Sequence, residues 1–371
     1  MAKAGNSHIV TKSTATRTAT ADPGGIGLNG EIRSMRDVEN FQVSPKRLHS
    51  ATHEEIIQGA TTDIYFVKTA EILAALGLSE TKVTAEIFPA RAGVLAGVDE
   101  GLQLLAGRGV EVYALPEGSA FQAREVVMRI IGCYANFGIY ETALLGMLAS
   151  ASAWATAARE CRQAAGEASF LSFGARHVHP AVAPVMERAA VIGGADGASC
   201  ILGAKLVGKE PAGTIPHAAV LIAGDTVRVA TTYDSVMPDA SPRIILVDTF
   251  KDEAEETLRV ADALQDRLEG IRLDTPGERG GVTPDLVREV RARLDQAGFQ
   301  RVKIFVSGGI TPDRVGQLRS AGADAFGIGS YISRAQPIDM TMDIKEIEGK
   351  PVAKRGRIPG RSDNPRLQRV L

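Results

Sequence analysis

Two aspartates stand at matching places in the second half of the sequence, each closing a short apolar run: Ile-Ile-Leu-Val-Asp248-Thr249 and Ile-Arg272-Leu-Asp274-Thr275. Runs this short and this β-branched read as buried strands, so both carboxylates would open onto one mouth. Acids placed there suit a sugar diol or a magnesium ion, because a ribose needs acceptors and Mg2+ needs hard oxygen. A strand-end aspartate also caps helices, but two in register beside a glycine cradle favour a ligand. The cradle is Ser307-Gly308-Gly309 with Gly327-Ile328-Gly329-Ser330, two strand ends lacking the bulk that would keep a phosphate off backbone N–H groups. Arg272 precedes Asp274 by two residues and so shares its strand face, where a guanidinium reaches a phosphate or carboxylate through paired hydrogen bonds. His217 follows Gly213-Thr214-Ile215-Pro216, a turn-forming approach that exposes the ring, although a lone histidine is more often structural. Phe173, Arg176, His177 and His179 form a further cluster, suited to a flat anionic ring or to a plain polar rim. Tyr65 offers an aromatic face, yet fits an ordinary amphipathic helix equally well.

These residues need a scaffold that brings strand ends together. Charged segments of helical period at 253–268, 283–297 and 312–321 separate the strand-like runs. Strand, helix, strand, helix argues for parallel strands joined by crossovers. Because each strand carries its reactive residues at its C-terminal end, a (β/α) barrel is favoured over a flat doubly wound sheet. Such a barrel is expected over residues 151–336, with 170–174 as its first strand end and 213–217 as another. Residues 49–150 read as a smaller α+β unit: a helix at 65–76, a strand at 83–88, and a strand-turn-strand formed by 110–115 and 120–131. A long alanine-rich helical zone at 140–165 follows. Residues 337–371 read as a strand-turn-strand, 341–347 against 352–355, returning to the N-terminal unit. The Ser/Thr/Ala/Gly-rich opening has little to bury, and residues 1–48 are expected to be a disordered tail.

Composition narrows the chemistry. The 371 residues suffice for a barrel with an appended domain. A net charge of −2 leaves no electrostatic footprint for nucleic acid or an anionic membrane, so any anion needs a local site. Cys133, Cys161 and Cys200 stand singly, which argues against a disulfide framework or structural zinc and for a reducing compartment. No apolar run approaches the roughly 18 residues that span a bilayer, and no secretory signal core opens the chain. A cytoplasmic protein is expected.

Eight motifs occur in the order found in nicotinate phosphoribosyltransferases: Thr62-Asp63-Ile-Tyr65-Phe66, Pro116-Glu117-Gly118, Ser172-Phe173-Gly174-Ala-Arg176, Gly193-Gly194-Ala-Asp196-Gly197, Gly213-Thr214-Ile-Pro216-His217, Leu-Val-Asp248-Thr249, Arg272-Leu-Asp274-Thr275-Pro-Gly277 and Val-Ser307-Gly308-Gly309. The sequence resembles the compact bacterial and archaeal branch of that family from about residue 50 to 360. The resemblance implies a type II phosphoribosyltransferase fold, an incomplete (β/α) barrel with an α/β domain built from both chain ends. It implies displacement of pyrophosphate from phosphoribosyl pyrophosphate by nicotinate, coupled to ATP hydrolysis, with Mg2+ bound through substrate phosphates, in NAD biosynthesis. It also implies a homodimer with shared active sites. The family's phosphorylatable histidine falls on His217, its ribose acids on Asp248 and Asp274 with Thr249 alongside, and its 5′-phosphate glycines on Gly308, Gly309 and Gly329, with Ser307 and Ser330 beside them as further substrate-binding candidates. The ring-stacking residues fall on Phe173 and, from the neighbouring subunit, Tyr65. Arg176, Thr214 and Arg272 match positions for the base and the phosphates, and His177 stands where members often carry a second arginine. Two other readings compete: a nicotinamide-using relative, if Asp196 faces the base, and a barrel that binds phosphosugars without catalysis.

Overall fold

The computed structural model describes residues 30–44 and 47–371. Numbered along the chain, its strands are β1 Lys82–Pro89, β2 Gly93–Val94, β3 Glu111–Ala114, β4 Ala120–Phe121, β5 Met128–Cys133, β6 Ser169–Ser172 and β7 Gly197–Ala198. The series continues with β8 Ile244–Leu246, β9 Gly270–Leu273, β10 Lys303–Val306, β11 Ala325–Ile328, β12 Met340–Ile347, β13 Lys350–Pro351 and β14 Gln368–Arg369.

Six of these strands form a parallel sheet in the order β7-β6-β11-β10-β9-β8. The last strand of the series lies beside the first, so the sheet returns on itself and its edges are β7 and β8, neighbours in the chain. The strand end expected at 213–217 is not a strand. Ala212 N–H donates to Ala198 O at 2.9 Å, Pro216 has no N–H to extend such pairing, and His217 opens the helix His217–Ala223. Crossover helices cover the sheet. Glu253–Leu264 turns Val260, Ala261 and Leu264 inward, and Pro284–Gln296 does the same with Val287, Val290 and Leu294. Helical spacing puts these residues on one face, and they merge with the strand interiors into a single core. Each fully buried side chain of this kind stabilises the fold by about 1.5–3 kcal/mol. Asp252 and Thr283 cap the two helices by accepting from Ala254 N–H (3.0 Å) and Leu286 N–H (3.2 Å).

The second sheet is antiparallel, in the order β13-β12-β1-β5-β3-β14. It draws strands from both chain ends: β12 pairs along β1 from Val83↔Ile347 to Pro89↔Met340, and β14 pairs with β3. The second arm expected at 352–355 lies earlier, at Lys350–Pro351, because Glu348 and Gly349 take φ of 48° and 72° and turn the chain back at once, pairing Ile347 with Lys350 and Glu346 with Pro351. The strand expected at 120–131 divides in two. Arg124 takes a positive φ of 64°, which breaks the extension, so β4 pairs with β2 while β5 joins the main sheet. One helix, Glu141–Ala165, serves both cores: Leu144 and Leu148 pack against the antiparallel sheet, and Ala158, Cys161 and Ala165 against the parallel one. The boundary expected at 150/151 therefore falls within a continuous helix.

Of the tail expected over 1–48, residues 1–29 and 45–46 lie outside the described residues. The remainder corrects the expectation. Ser34 and Asp37 form a reciprocal cap on the helix Met35–Asn40, Ile32 is buried, and Glu31 accepts from Tyr140 Oη at 2.8 Å and pairs with Arg108. A capped turn tied down by a buried isoleucine and a paired glutamate is ordered despite its polar composition. Among the described residues no helix is long and apolar enough to cross a membrane.

Candidate active site

The C-terminal ends of the parallel strands surround a cleft of ≈ 380 Å³. Of the residues singled out from sequence, Phe173, Arg176, His177, Thr214, Arg272, Asp274, Ser307, Gly308, Gly309, Gly329 and Ser330 are among those that line it. His217, Asp248 and Thr249 lie outside that lining. Tyr65 also lies outside it, 55% exposed on the helix Ile64–Ala75.

At one end the cleft is a network around Asp274. Its Oδ1 accepts from Ser307 Oγ at 2.8 Å, and its Oδ2 from Arg272 Nη2 at 3.3 Å. Arg272 Nη1 also donates to Thr214 Oγ1, so one guanidinium joins the end of β9 to the 213–216 connection. Gly308 takes a φ of +87°, and a Cβ there would come within 3.0 Å of Asp274 Oδ1, so glycine is required on both counts. Arg314 donates to the carbonyls of Gly308 (3.3 Å), Gly309 (3.1 Å) and Val282 (2.6 Å). That arginine fixes the glycine turn against the loop after β9. An anion can then meet preset amide groups rather than a mobile loop.

Behind the cleft, His217 Nε2 stands 3.2 Å from Asp248 Oδ2. The Asp248 side chain is 1% exposed, and its other oxygen is buried without a partner. Burial pushes its carboxyl above the usual carboxylate range, against the pull of the His217 hydrogen bond. Thr249 Oγ1 and Arg272 Nε are likewise buried and unpartnered. Unmet hydrogen-bonding groups gathered beside a cleft suit a polar ligand that completes them.

At the other end stand Phe173, Arg176, His177 and Ser199. The Phe173 ring stacks on Phe305 at 6.3 Å, and a Cβ on Gly327 would lie 2.4 Å from it, so only glycine lets the ring settle there. Arg176 is exposed and makes no hydrogen bond or ion pair with the described residues. Burial, with the Arg176 and Arg334 charges nearby, pushes His177 below the usual histidine range. His179 does not join them; its Nδ1 accepts from Ala181 N–H at 3.1 Å. Asp196 precedes β7, away from the C-terminal end at which Ser199 meets the cleft, and is held by Arg162 (2.7 Å) and Ser169 (2.9 Å). A carboxylate so engaged does not face a base, which removes the sequence argument for an amide substrate.

Three contributors were not legible beforehand. Ser199 carries no sequence signal. Arg314 lies on a helix where an exposed arginine is unremarked. Glu187 could have been suspected as the lone acid in Ala-Pro-Val-Met-Glu187-Arg-Ala-Ala-Val-Ile-Gly; it is fully buried beneath the base-side loops. Among the described residues no cluster of three or more metal-ligating side chains is present. A cation here would be held by at most Asp248 and Asp274, with the remaining ligands supplied by a bound molecule. The unpartnered Asp248 oxygen fits that role.

Comparison with known proteins bears on the family and the fold. The quinolinate phosphoribosyl transferase N-terminal domain matches residues 63–152, and its C-terminal domain residues 154–343. A solved structure of a nicotinate-nucleotide pyrophosphorylase from Pyrococcus furiosus superposes with a TM-score of 0.81 at 47% identity, covering 85% of this chain and 82% of that one. A human nicotinic acid phosphoribosyltransferase, at 20% identity, shares the fold with a TM-score of 0.63 over 81% of this chain and 77% of that one. A nicotinate phosphoribosyltransferase of Mycobacterium tuberculosis is 31% identical over 264 residues, 68% of this chain and 55% of that protein. This chain thus spans just over half the length of that curated relative.

Proposed function

Because this chain belongs to the quinolinate and nicotinate phosphoribosyltransferase family, we propose that it joins nicotinate to the ribose of phosphoribosyl pyrophosphate, releasing pyrophosphate. The observation that carries this is the pairing of an unengaged guanidinium, Arg176, with the Phe173 ring at one end of a cleft whose other end is a glycine cradle. Phe173 stacks the pyridine, Arg176 pairs with its single carboxylate, and the Gly308–Gly309 turn with Gly329 and Ser330 holds the 5′-phosphate. The sheet is read as an incomplete (β/α) barrel, open between β7 and β8, with the site at its C-terminal mouth.

The reacting bond is the one from C1′ to the pyrophosphate oxygen. As it breaks, positive charge grows on the ribose, and the Asp274 and Asp248 carboxylates stabilise it while the pyridine nitrogen forms the new bond. Mg2+ on the substrate phosphates, touching Asp248 or Asp274, would supply neutralisation of the leaving charge. If Asp248 accepts the Nε2–H of His217, Nδ1 keeps a lone pair. That atom attacks the terminal phosphate of ATP, forming the N–P bond as ADP leaves, and later hydrolysis of the phosphoimidazole draws the transfer forward. The site is completed by Tyr65 from a second copy of the chain in a homodimer.

The description of the matching family model favours one second reading, quinolinate as the base. That substrate adds a second carboxylate and calls for another unpaired cation. Among the described cleft residues, Arg272 is already engaged by Asp274 and Thr214, and burial with the neighbouring arginines disfavours the charged form of His177. Among the described residues that line the cleft, Arg176 is the free guanidinium, and one such cation supports the monocarboxylate.

The deciding experiment supplies nicotinate, quinolinate or nicotinamide with phosphoribosyl pyrophosphate and Mg2+, with and without ATP, and follows mononucleotide. Mononucleotide from nicotinate, accelerated by ATP in the parent protein and not in His217→Ala, is expected. Product from quinolinate with release of carbon dioxide, at a higher kcat/KM than from nicotinate, overturns the proposal.

A further inference from the structure

Glu187 lies on the helix Ala183–Gly193, with its side chain wholly removed from solvent, and is not used by the chemistry above. Five donors converge on it. Its Oε1 accepts from Gly174 N–H (3.1 Å), Ala175 N–H (3.3 Å), Ser172 Oγ (3.3 Å) and Ser199 Oγ (3.1 Å), and its Oε2 accepts from Cys200 N–H (2.6 Å). Among the described residues no cation pairs with it. A residue there for packing alone would be apolar, because burying a carboxylate carries a large desolvation cost unless several hydrogen bonds offset it. The donors belong to two different loops. Gly174 and Ala175 follow β6 and lead directly into Arg176, whereas Ser199 and Cys200 follow β7.

Those loops need an outside tether. β7 is an edge strand of two residues, in register with β6 at Leu171↔Gly197 and Ser172↔Ala198 and flanked by bonds from Asp196 N–H to Phe170 O (2.9 Å) and Ser199 N–H to Ser172 O (3.1 Å). On its other side Ala212 N–H donates to Ala198 O but no strand pairs with it, and Cys200 N–H is held by Glu187. We propose that Glu187 is a positioning residue for the base-binding end of the cleft: its carboxylate clamps the loops after β6 and β7 together and so sets the place of Arg176. It does not touch substrate. The identity of the base rests on the nicotinate reading above; the clamp itself does not.

Glu187→Gln tests it, because an amide keeps the size but replaces one acceptor oxygen with a donor, and every backbone partner here is a donor. Two measurements are made on the full chain. Hydrogen–deuterium exchange should show the amides of Gly174, Ala175 and Cys200 exchanging at least tenfold faster in the variant, with those of β9 to β11 unchanged. In steady-state kinetics KM for nicotinate should rise at least tenfold, while KM for phosphoribosyl pyrophosphate moves less than twofold. Unchanged exchange at the three amides, faster exchange spread evenly over the parallel sheet, or equal rises in both KM values overturns the proposal. If the parent protein does not use nicotinate, the proposed function fails and the exchange result alone decides the clamp. Should Glu187→Gln not fold, Ser172→Ala removes one donor from the same oxygen. It should speed exchange at Gly174 and Ala175 two- to fivefold, and parent-like rates there would equally sink the idea.

Discussion

Asp248 combines two demands that conflict. A carboxylate with a 1% exposed side chain and one oxygen unpartnered destabilises the fold whenever it is charged, yet the charge is what a ribose cation or a histidine partner requires. Its folded-state pKa is raised by burial, so the penalty is full above that raised value, fades as pH falls through it, and is absent below the ordinary carboxylate value of the unfolded chain. Asp248→Asn should therefore be more stable than the parent by on the order of 1 kcal/mol near pH 8, with the advantage shrinking toward pH 4. The same variant should lose turnover by about a hundredfold or more. Urea denaturation at both pH values reads the first effect. An Asn variant that is less stable at every pH would mean that the His217 hydrogen bond outweighs the burial of charge.

Among the elements, the short connections after the strands carry the function, and buried or half-buried ties hold them. Arg314 on the helix Pro312–Ser320 links the glycine turn after β10 to Val282 in the connection after β9, joining the expected phosphate cradle to the Asp274 neighbourhood. All three donated hydrogen bonds go to backbone carbonyls, which makes preorganisation of the turn the role. Arg314→Met keeps the aliphatic stem and removes the donors. We expect KM for phosphoribosyl pyrophosphate to rise about tenfold with KM for nicotinate little changed, the mirror image of the Glu187 variant. A parent-like KM for phosphoribosyl pyrophosphate would show that the turn holds its shape by glycine geometry alone.

At the scale of the whole molecule, the helix Ile64–Ala75 leaves Tyr65, Ile72 and the flanking Leu76 along one side, exposed to 55%, 58% and 64%. An apolar strip of this kind on a chain whose own cleft lacks Tyr65 suggests that another copy covers it. Two inactive proteins, Tyr65→Ala and Asp274→Ala, should regain activity when mixed and refolded together. Random pairing puts half the chains in mixed dimers with one intact site each, so about a quarter of the parental activity is expected. Mixed dimers isolated by two different tags and found inactive would place Tyr65 outside the site.

The sequence by itself determined the alternation of strands and crossover helices from residue 243 to 330 and the chemistry at the strand ends. The apolar runs there are too short and too β-branched for helices, and the helices bury one face at a 3.6-residue period. It also determined that glycines would line the phosphate end, since Gly308 needs a positive φ and Gly327 yields its Cβ space to Phe173. Only the tertiary structure decided which residues share a contact across long separations. Glu187 and Cys200, or Arg314 and Val282, meet because adjacent parallel strands bring the loops that follow them to the same mouth, a packing that the local pattern of residues does not encode. Tertiary structure also turned the expected strand at 213–217 into an unpaired connection ahead of a helix, because pairing with the β7 edge stops at Ala212, Pro216 cannot donate and His217 already opens the helix. The tail was misjudged between 30 and 44 for a related reason: its order comes from one buried isoleucine and a glutamate paired to an arginine 77 positions away, contacts that local composition does not encode.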